Sequence, residues 1–155
     1  MQELGLAQLD ARLRGLVDAA AQARQRAYSP YSGVRVGAAL LARDGTVIPG
    51  ANLESASYGL TLCAERAALA AANTQGQRDF EAVAVVADGT GLAPGAILPP
   101  CGACRQLLYE AASDAGHDIV VILVSADGQR VVLSSVYELL PLAMGRHDLS
   151  SPWQG

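Results

Sequence analysis

Residues 82–87 read Ala-Val-Ala-Val-Val-Ala. The run is too short and too rich in β-branched side chains for a helix, and it predicts a strand buried on both faces. Ile119 to Val124 (Ile-Val-Val-Ile-Leu-Val) has the same character and predicts a second buried strand. A Gly/Pro-rich loop from Asp88 to Pro100 and a helix from Cys101 to Ala112 join the two.

Upstream, Cys63 to Asn73 (CAERAALAAAN) contains strong helix formers and no breaker, which predicts another helix. Before it, Val34 to Leu41 and Thr46 to Leu53 flank Arg43-Asp44-Gly45, whose Asp-Gly pair signals an antiparallel hairpin. Leu6, Leu9, Leu13, Leu16, Val17 and Ala20 recur at helical spacing and predict a first amphipathic helix over Leu4 to Ala27. It ends before Ser29-Pro30, because proline disfavours helical geometry in the preceding residue. Downstream, Arg130 to Leu133 predicts a last strand, Ser135 to Leu140 a short helix, and the tail beyond Pro141 an irregular segment. Helices alternating with buried strands define an α/β sandwich, and the hairpin makes its sheet mixed. The pattern leaves the strand order open. A chain of 155 residues has the size of one domain, residues 1–155.

A hydrophobic content of 51% against 17% charged residues is more apolar than one small subunit readily buries, and it points to self-association. The net charge is −4, and the basic residues, all arginine, are scattered singly. A surface that tracks a phosphate backbone needs the opposite pattern, so nucleic acid polymers and anionic membranes are poor partners. Met1 to Gly15 mixes Glu3, Asp10, Arg12 and Arg14 among its leucines, unlike a signal peptide, and no apolar run reaches membrane-spanning length. A soluble, cytoplasmic protein is expected.

Three cysteines cannot complete a disulfide framework, which turns attention to metal binding or catalysis. Cys101-Gly102-Ala103-Cys104 sets two thiols within reach of one ion at a helix start, and Cys63 begins another helix. Three thiolates leave the fourth tetrahedral position of zinc to water, which separates a catalytic from a structural site. Helix N-termini carry partial positive charge and favour the thiolate. Glu65, two residues after Cys63, is near enough to reach a metal-held water without competing as a ligand. Alone, Cys63 reads as a packing thiol and Glu65 as an acid favoured at a helix start. Together with the helix-start cysteine pair they select a metal centre.

Cys63-Ala64-Glu65-Arg66, followed by Pro100-Cys101-Gly102-Ala103-Cys104-Arg105-Gln106, resembles the small zinc-dependent cytidine deaminases. The resemblance covers most of the chain: Tyr31-Ser32, Val36-Gly37-Ala38, Asn52-Leu53-Glu54, Ala56-Ser57-Tyr58-Gly59 and Glu138-Leu139-Leu140-Pro141 belong to it. It implies a three-layer α-β-α cytidine-deaminase-like fold and hydrolytic deamination of cytidine and deoxycytidine, with release of ammonia, by a zinc-activated water in pyrimidine salvage. It implies Cys63, Cys101 and Cys104 as ligands of Zn2+ and Glu65 as general acid and base. Asn52 and Glu54 are implied to bind the sugar 3'-hydroxyl, the backbone around Ala64 to line the base pocket, and Arg66 to hydrogen-bond the thiolates and drain their charge. A homotetramer whose sites borrow residues from neighbours is implied as well. A carboxylate on a free 3'-hydroxyl favours a small-molecule nucleoside over a chain-internal nucleotide.

Two positions depart from the family pattern. Val34 and Met144 stand where relatives usually place phenylalanines that contact the pyrimidine, the second from a neighbouring subunit. Each lost aromatic contact costs on the order of 1 kcal/mol and enlarges the pocket. The alternative substrate is therefore a modified cytosine nucleoside or a blasticidin-S-like antibiotic. A zinc-stabilised scaffold is the non-enzymatic alternative, and Glu65 argues against it because a structural site needs no proton shuttle. His117 and His147 read as surface residues, and Trp153 as an anchor for a partner subunit.

Overall fold

The computed structural model describes residues 1–93 and 95–149. Its strands are β1 (Gln2–Leu4), β2 (Val34–Ala42), β3 (Val47–Ala51), β4 (Phe80–Gly89), β5 (Val120–Val124) and β6 (Val131–Ser135). The helices are α1 (Ala11–Arg24), α2 (Ala64–Thr74), α3 (Gly102–Ala115) and the short α4 (Val136–Leu139). The sheet runs β1-β6-β5-β4-β2-β3, with β4 and β5 parallel and every other neighbouring pair antiparallel. The parallel pair requires a crossover, and α3 supplies it.

The alternation of the 82–87 run explains the layering. Ala82, Ala84 and Val86 face one side with Ala39 and Leu41 of β2, where Leu16, Val17 and Ala20 of α1 cover them. Val83 and Val85 face the other with Leu40, under Ala68 and Ala72 of α2 and Leu108 and Ala112 of α3. Successive side chains of a strand point to opposite faces, so one apolar string serves two cores. This is the expected α-β-α sandwich with a mixed sheet.

Two glycines set how closely the helices lie on the sheet. A Cβ on Gly37 would press into the main chain of Ala20 and Arg24 in α1, and a Cβ on Gly50 into that of Ala64 and Ala68 in α2. The second contact seats the first turn of α2 directly on β3. The hairpin forms as expected: Gly45 takes φ +90° and Asp44 Oδ1 accepts from the Thr46 N–H at 2.9 Å.

The first helix departs from expectation. Gln2–Leu4 is a strand paired antiparallel to Val131–Leu133, Leu6–Gln8 is a single 3-10 turn, and α1 begins at Ala11 with Asp10 accepting from the Leu13 N–H. The leucine spacing fits both conformations of that turn. Tertiary pairing decides, reinforced by Arg130, which grips Glu3 at 2.6 and 3.1 Å. The second hairpin strand also stops short of Leu53, because the Asn52 amide turns onto the main chain of β2. Trp153 lies outside the described residues. No helix among the described residues is long and apolar enough to cross a membrane.

The glycines give two substitutions of opposite sign. Gly50→Ala drives a side chain into α2 and is expected to lower stability by about 1–3 kcal/mol in urea unfolding. Gly15→Ala, within α1 and with nothing within 4 Å of its added Cβ, is expected to raise stability by about 0.5–1 kcal/mol. Equal effects would overturn this account of the packing.

Candidate active site

Cys63 is the N-cap of α2 and Cys101 the N-cap of α3, and neither side chain makes a full capping hydrogen bond, although the N–H groups of Ala103 and Cys104 face the Cys101 sulfur. That position usually carries an oxygen that binds the free N–H groups. Here the sulfurs remain available to something else. Cys104 follows in the first turn of α3 and is fully buried. The Sγ atoms of Cys63 and Cys101 are 3.7 Å apart, those of Cys101 and Cys104 3.4 Å, and all three lie within 4.8 Å of one another. A tetrahedral zinc with sulfurs at about 2.3 Å holds them about 3.8 Å apart, so the donor set fits that ion. The separations are far beyond a disulfide bond of about 2.05 Å.

Helix placement favours the thiolate less uniformly than expected. Burial pushes the Cys104 thiol far up, and the negative charge of Glu65 adds to it. Burial also raises Cys63, helped by the Cys101 sulfur. At Cys101 burial acts the same way, but N–H groups of Cys104 and Ala103 and the two neighbouring thiols outweigh it and leave the group below its ordinary value. A cation would therefore have to supply the charge that makes the other two thiolates.

Glu65 is only 4% exposed. Burial raises its carboxyl above the ordinary range, opposed by its own backbone N–H, the Cys104 thiol and the charge of Arg66. It shares a cavity of about 190 Å³ with Cys63, Cys101, Ala64, Asn52 and Thr61; Val36, Val85, Leu98 and Pro99 form the apolar wall. Larger clefts of about 500 Å³ lie elsewhere on the surface, but none contains a cysteine or a buried acid.

The remaining expected residues surround this cavity unevenly. Arg66 Nη2 donates to the Thr61 carbonyl at 2.7 Å and stands 3.9 Å from Cys63 Sγ. Asn52 Oδ1 accepts from the Val36 N–H at 2.8 Å and its Nδ2 donates to the Val34 carbonyl at 3.0 Å, so the amide locks β2 at the cavity wall. Glu54 accepts from the Ser32 hydroxyl and from the backbone N–H groups of Tyr31 and Ser32, and the Ser32 hydroxyl leads in holding its carboxyl below the ordinary range. Glu54 and Val34 fall outside the cavity lining, whereas Val36, one alternation further along the same strand face, forms part of it. Val36, Thr61 and Leu98 escaped sequence reading; the strand period from Val34 was the signal that could have found the first. Met144 is 64% exposed and is not among the residues that line the cavity.

The histidines stand apart from the cysteines. His147 is exposed in a 3-10 turn. His117 is half-buried after α3, and its Nε2 is 2.7 Å from Asp79 Oδ1. The Asp118 carbonyl and then the Asp79 carboxylate hold its imidazolium and raise its pKa above the ordinary 6.5. A raised folded-state pKa means that this contact stabilises the fold fully below the unfolded-state pKa and fades as pH rises through the folded-state value. Asp79→Asn should lower the His117 midpoint in an NMR titration and flatten stability against pH just above 6.5; an unmoved midpoint would refute the pairing.

The cytidine and deoxycytidylate deaminase zinc-binding region matches residues 11–123. A cytidine deaminase of Halalkalibacterium halodurans is 48% identical over 135 residues, covering 87% of this chain and 96% of its own length. That of Sporosarcina psychrophila is 43% identical over 135 residues, covering 87% and 93%. The crystal structure of cytidine deaminase from Burkholderia pseudomallei superposes with a TM-score of 0.72 at 44% identity, covering 84% of this chain and 97% of that one. An α-β-α sandwich that gathers three thiols beside a buried carboxylate defines a zinc-site hydrolase. The chain belongs to the zinc-dependent cytidine and deoxycytidylate deaminase family.

Proposed function

We propose that the protein deaminates cytidine and deoxycytidine hydrolytically, with Cys63, Cys101 and Cys104 holding Zn2+ and Glu65 moving the protons. One observation carries this reading: a buried carboxylate shares a small, mostly apolar cavity with two members of the three-thiol cluster, Cys63 and Cys101. Bound to the thiolates, zinc supplies Lewis acidity that makes water a nucleophile near neutral pH. Glu65 accepts one proton from the water as its oxygen bonds to C4 of the pyrimidine and passes it to the ring nitrogen, then takes the proton of the new C4 hydroxyl and delivers it to the amine as the C4–N bond breaks. Ammonia leaves and the uracil nucleoside remains. Val36, Val85 and Leu98 exclude bulk water around the base, and the Ala64 backbone lines its pocket. Arg66 sits close enough to Cys63 to offset thiolate charge.

Asn52 and Glu54 serve the sugar in this reading, Asn52 by fixing the wall and Glu54 by offering an ionised acceptor at the rim. A 3'-phosphate would meet that carboxylate with like charge, which supports nucleosides over polynucleotides. Val34, beside the lining, leaves room for substituents on the base. Tyr58 (71% exposed), Leu60 and Leu142 present apolar surface, which supports a homotetramer. A cytoplasmic place in pyrimidine salvage completes the proposal.

Turnover of cytidine, deoxycytidine, substituted cytidines and blasticidin S, with zinc content measured in parallel, tests substrate class. Turnover of blasticidin S alone would overturn the nucleoside reading, and a zinc-loaded protein inert on all of them would favour a scaffold. Glu65→Gln is expected to keep its zinc while kcat falls by roughly 100- to 10,000-fold. Near-normal turnover in that zinc-loaded variant would refute the proton-transfer role.

A further inference from the structure

Of the three sulfurs, that of Cys101 belongs to the residue least supported by regular structure. Cys63 stands between an isolated strand bridge, Leu53 to Leu62, and a helix seated on β3 at Gly50. Cys104 is packed inside α3. Cys101 is exposed and is reached through a loop. Among the described residues, the only hydrogen bond made by the main chain of Ile97 to Pro100 is one that Arg105 donates.

Arg105 Nε donates to the Pro100 carbonyl at 2.8 Å, and its backbone N–H donates to the Cys101 carbonyl at 2.9 Å. Those two carbonyls belong to the peptide planes on either side of the Cys101 Cα. One residue thus fixes both planes, and with them the direction in which Cys101 projects its sulfur. Arg105 Nη1 donates at 3.0 Å to the Leu139 carbonyl at the end of α4, an acceptor with no continuing helix to satisfy it. The planar fork presents Nε and Nη1 to the two carbonyls at a fixed separation, which a lysine, whose three donors share one nitrogen, does not reproduce. Buried Pro100, with its fixed φ and absent N–H, limits other conformations of the loop.

We propose that Arg105 is a positioning residue for the metal centre: its guanidinium clamps the Pro100–Cys101 turn to the C-terminal end of α4 and so holds the Cys101 sulfur in place for zinc. The proposal rests on the assignment of Cys101 as a zinc ligand. Gln106, the next residue, also reaches the C-terminal segment, through the Met144 carbonyl at 2.8 Å, but does not touch the Cys101 turn. It provides the control.

The test is zinc release from the full-length holoprotein to a chromogenic chelator, with thermal melting of loaded and metal-free protein and the absorption bands of the cobalt-substituted form. Arg105→Lys should release zinc about tenfold faster, alter the cobalt–thiolate bands and lower the melting temperature more with metal than without. Gln106→Ala should release zinc at the wild-type rate. If Arg105→Lys does not yield folded protein, Arg105→Gln, which keeps a shorter donor, is read in its place. A loaded wild type whose Arg105 variant releases zinc no faster would overturn the clamp alone, as would equal acceleration by Gln106→Ala. Wild-type protein that carries no zinc, or a Cys101→Ala variant that holds it as firmly, would overturn the ligand assignment and the clamp with it.

Discussion

The site depends on helix α2 lying on β3 without an intervening side chain. Gly50 permits that contact, and the main chain of Ala64 and Ala68 occupies the space a Cβ would need. Cys63 precedes Ala64, and Glu65 follows it, so the same contact fixes a thiol and an acid at once. The sheet then transmits the position across β2 and β4, whose Val36 and Val85 wall the cavity, to the loop and helix that bring Cys101 and Cys104. A helix displaced by even a methyl group would part sulfurs that must stay within 4.8 Å of one another.

This geometry collects groups that repel one another when ionised. Glu65 is buried beside Cys104, and its negative charge adds to the burial that opposes the Cys104 thiolate, while the Cys104 thiol in turn favours the Glu65 carboxylate. Water cannot relieve that cost where Cys104 is fully enclosed, and the Arg66 guanidinium, 3.9 Å from Cys63 Sγ and bonded as well to the Thr61 carbonyl, offsets a single charge. A divalent cation is the most economical remedy in charge: two positive units placed among the sulfurs favour thiolates that burial opposes. The zinc-binding family to which the chain belongs uses that solution, and here the need for it follows from packing.

Much of this was legible because local chemistry and the final fold agree. The 82–87 run is a strand by composition and by position, and Cys101-Gly102-Ala103-Cys104 begins a helix in both. The N-terminus was misread because Leu6 and Leu9 satisfy helical spacing, while the strand Gln2–Leu4 is stabilised by partners some 130 positions away, Val131–Leu133. Asp10 was the missed local signal, an N-cap residue placed inside what looked like a continuous helix. The resemblance pairs Asn52 and Glu54 on one sugar hydroxyl. The structure separates them, since Asn52 spends one donor and one acceptor on β2 whereas Glu54 gathers the 31–32 turn. Sequence pattern does not single out these side-chain to main-chain bonds, because their main-chain partners carry no residue identity.

The same reasoning explains why the three cysteines are held by unlike means. Cys63 inherits its place from sheet packing, and Cys104 from burial within α3. Both positions are set by the sandwich before any metal arrives. Cys101 comes after an irregular loop whose length follows from the crossover between parallel β4 and β5, and packing alone cannot orient it. Where the crossover delivers its first cysteine, an arginine four residues further on bonds both the turn and the end of α4. The link ties the end of α4 to the turn that carries Cys101, although none of the described residues after α4 lines the cavity.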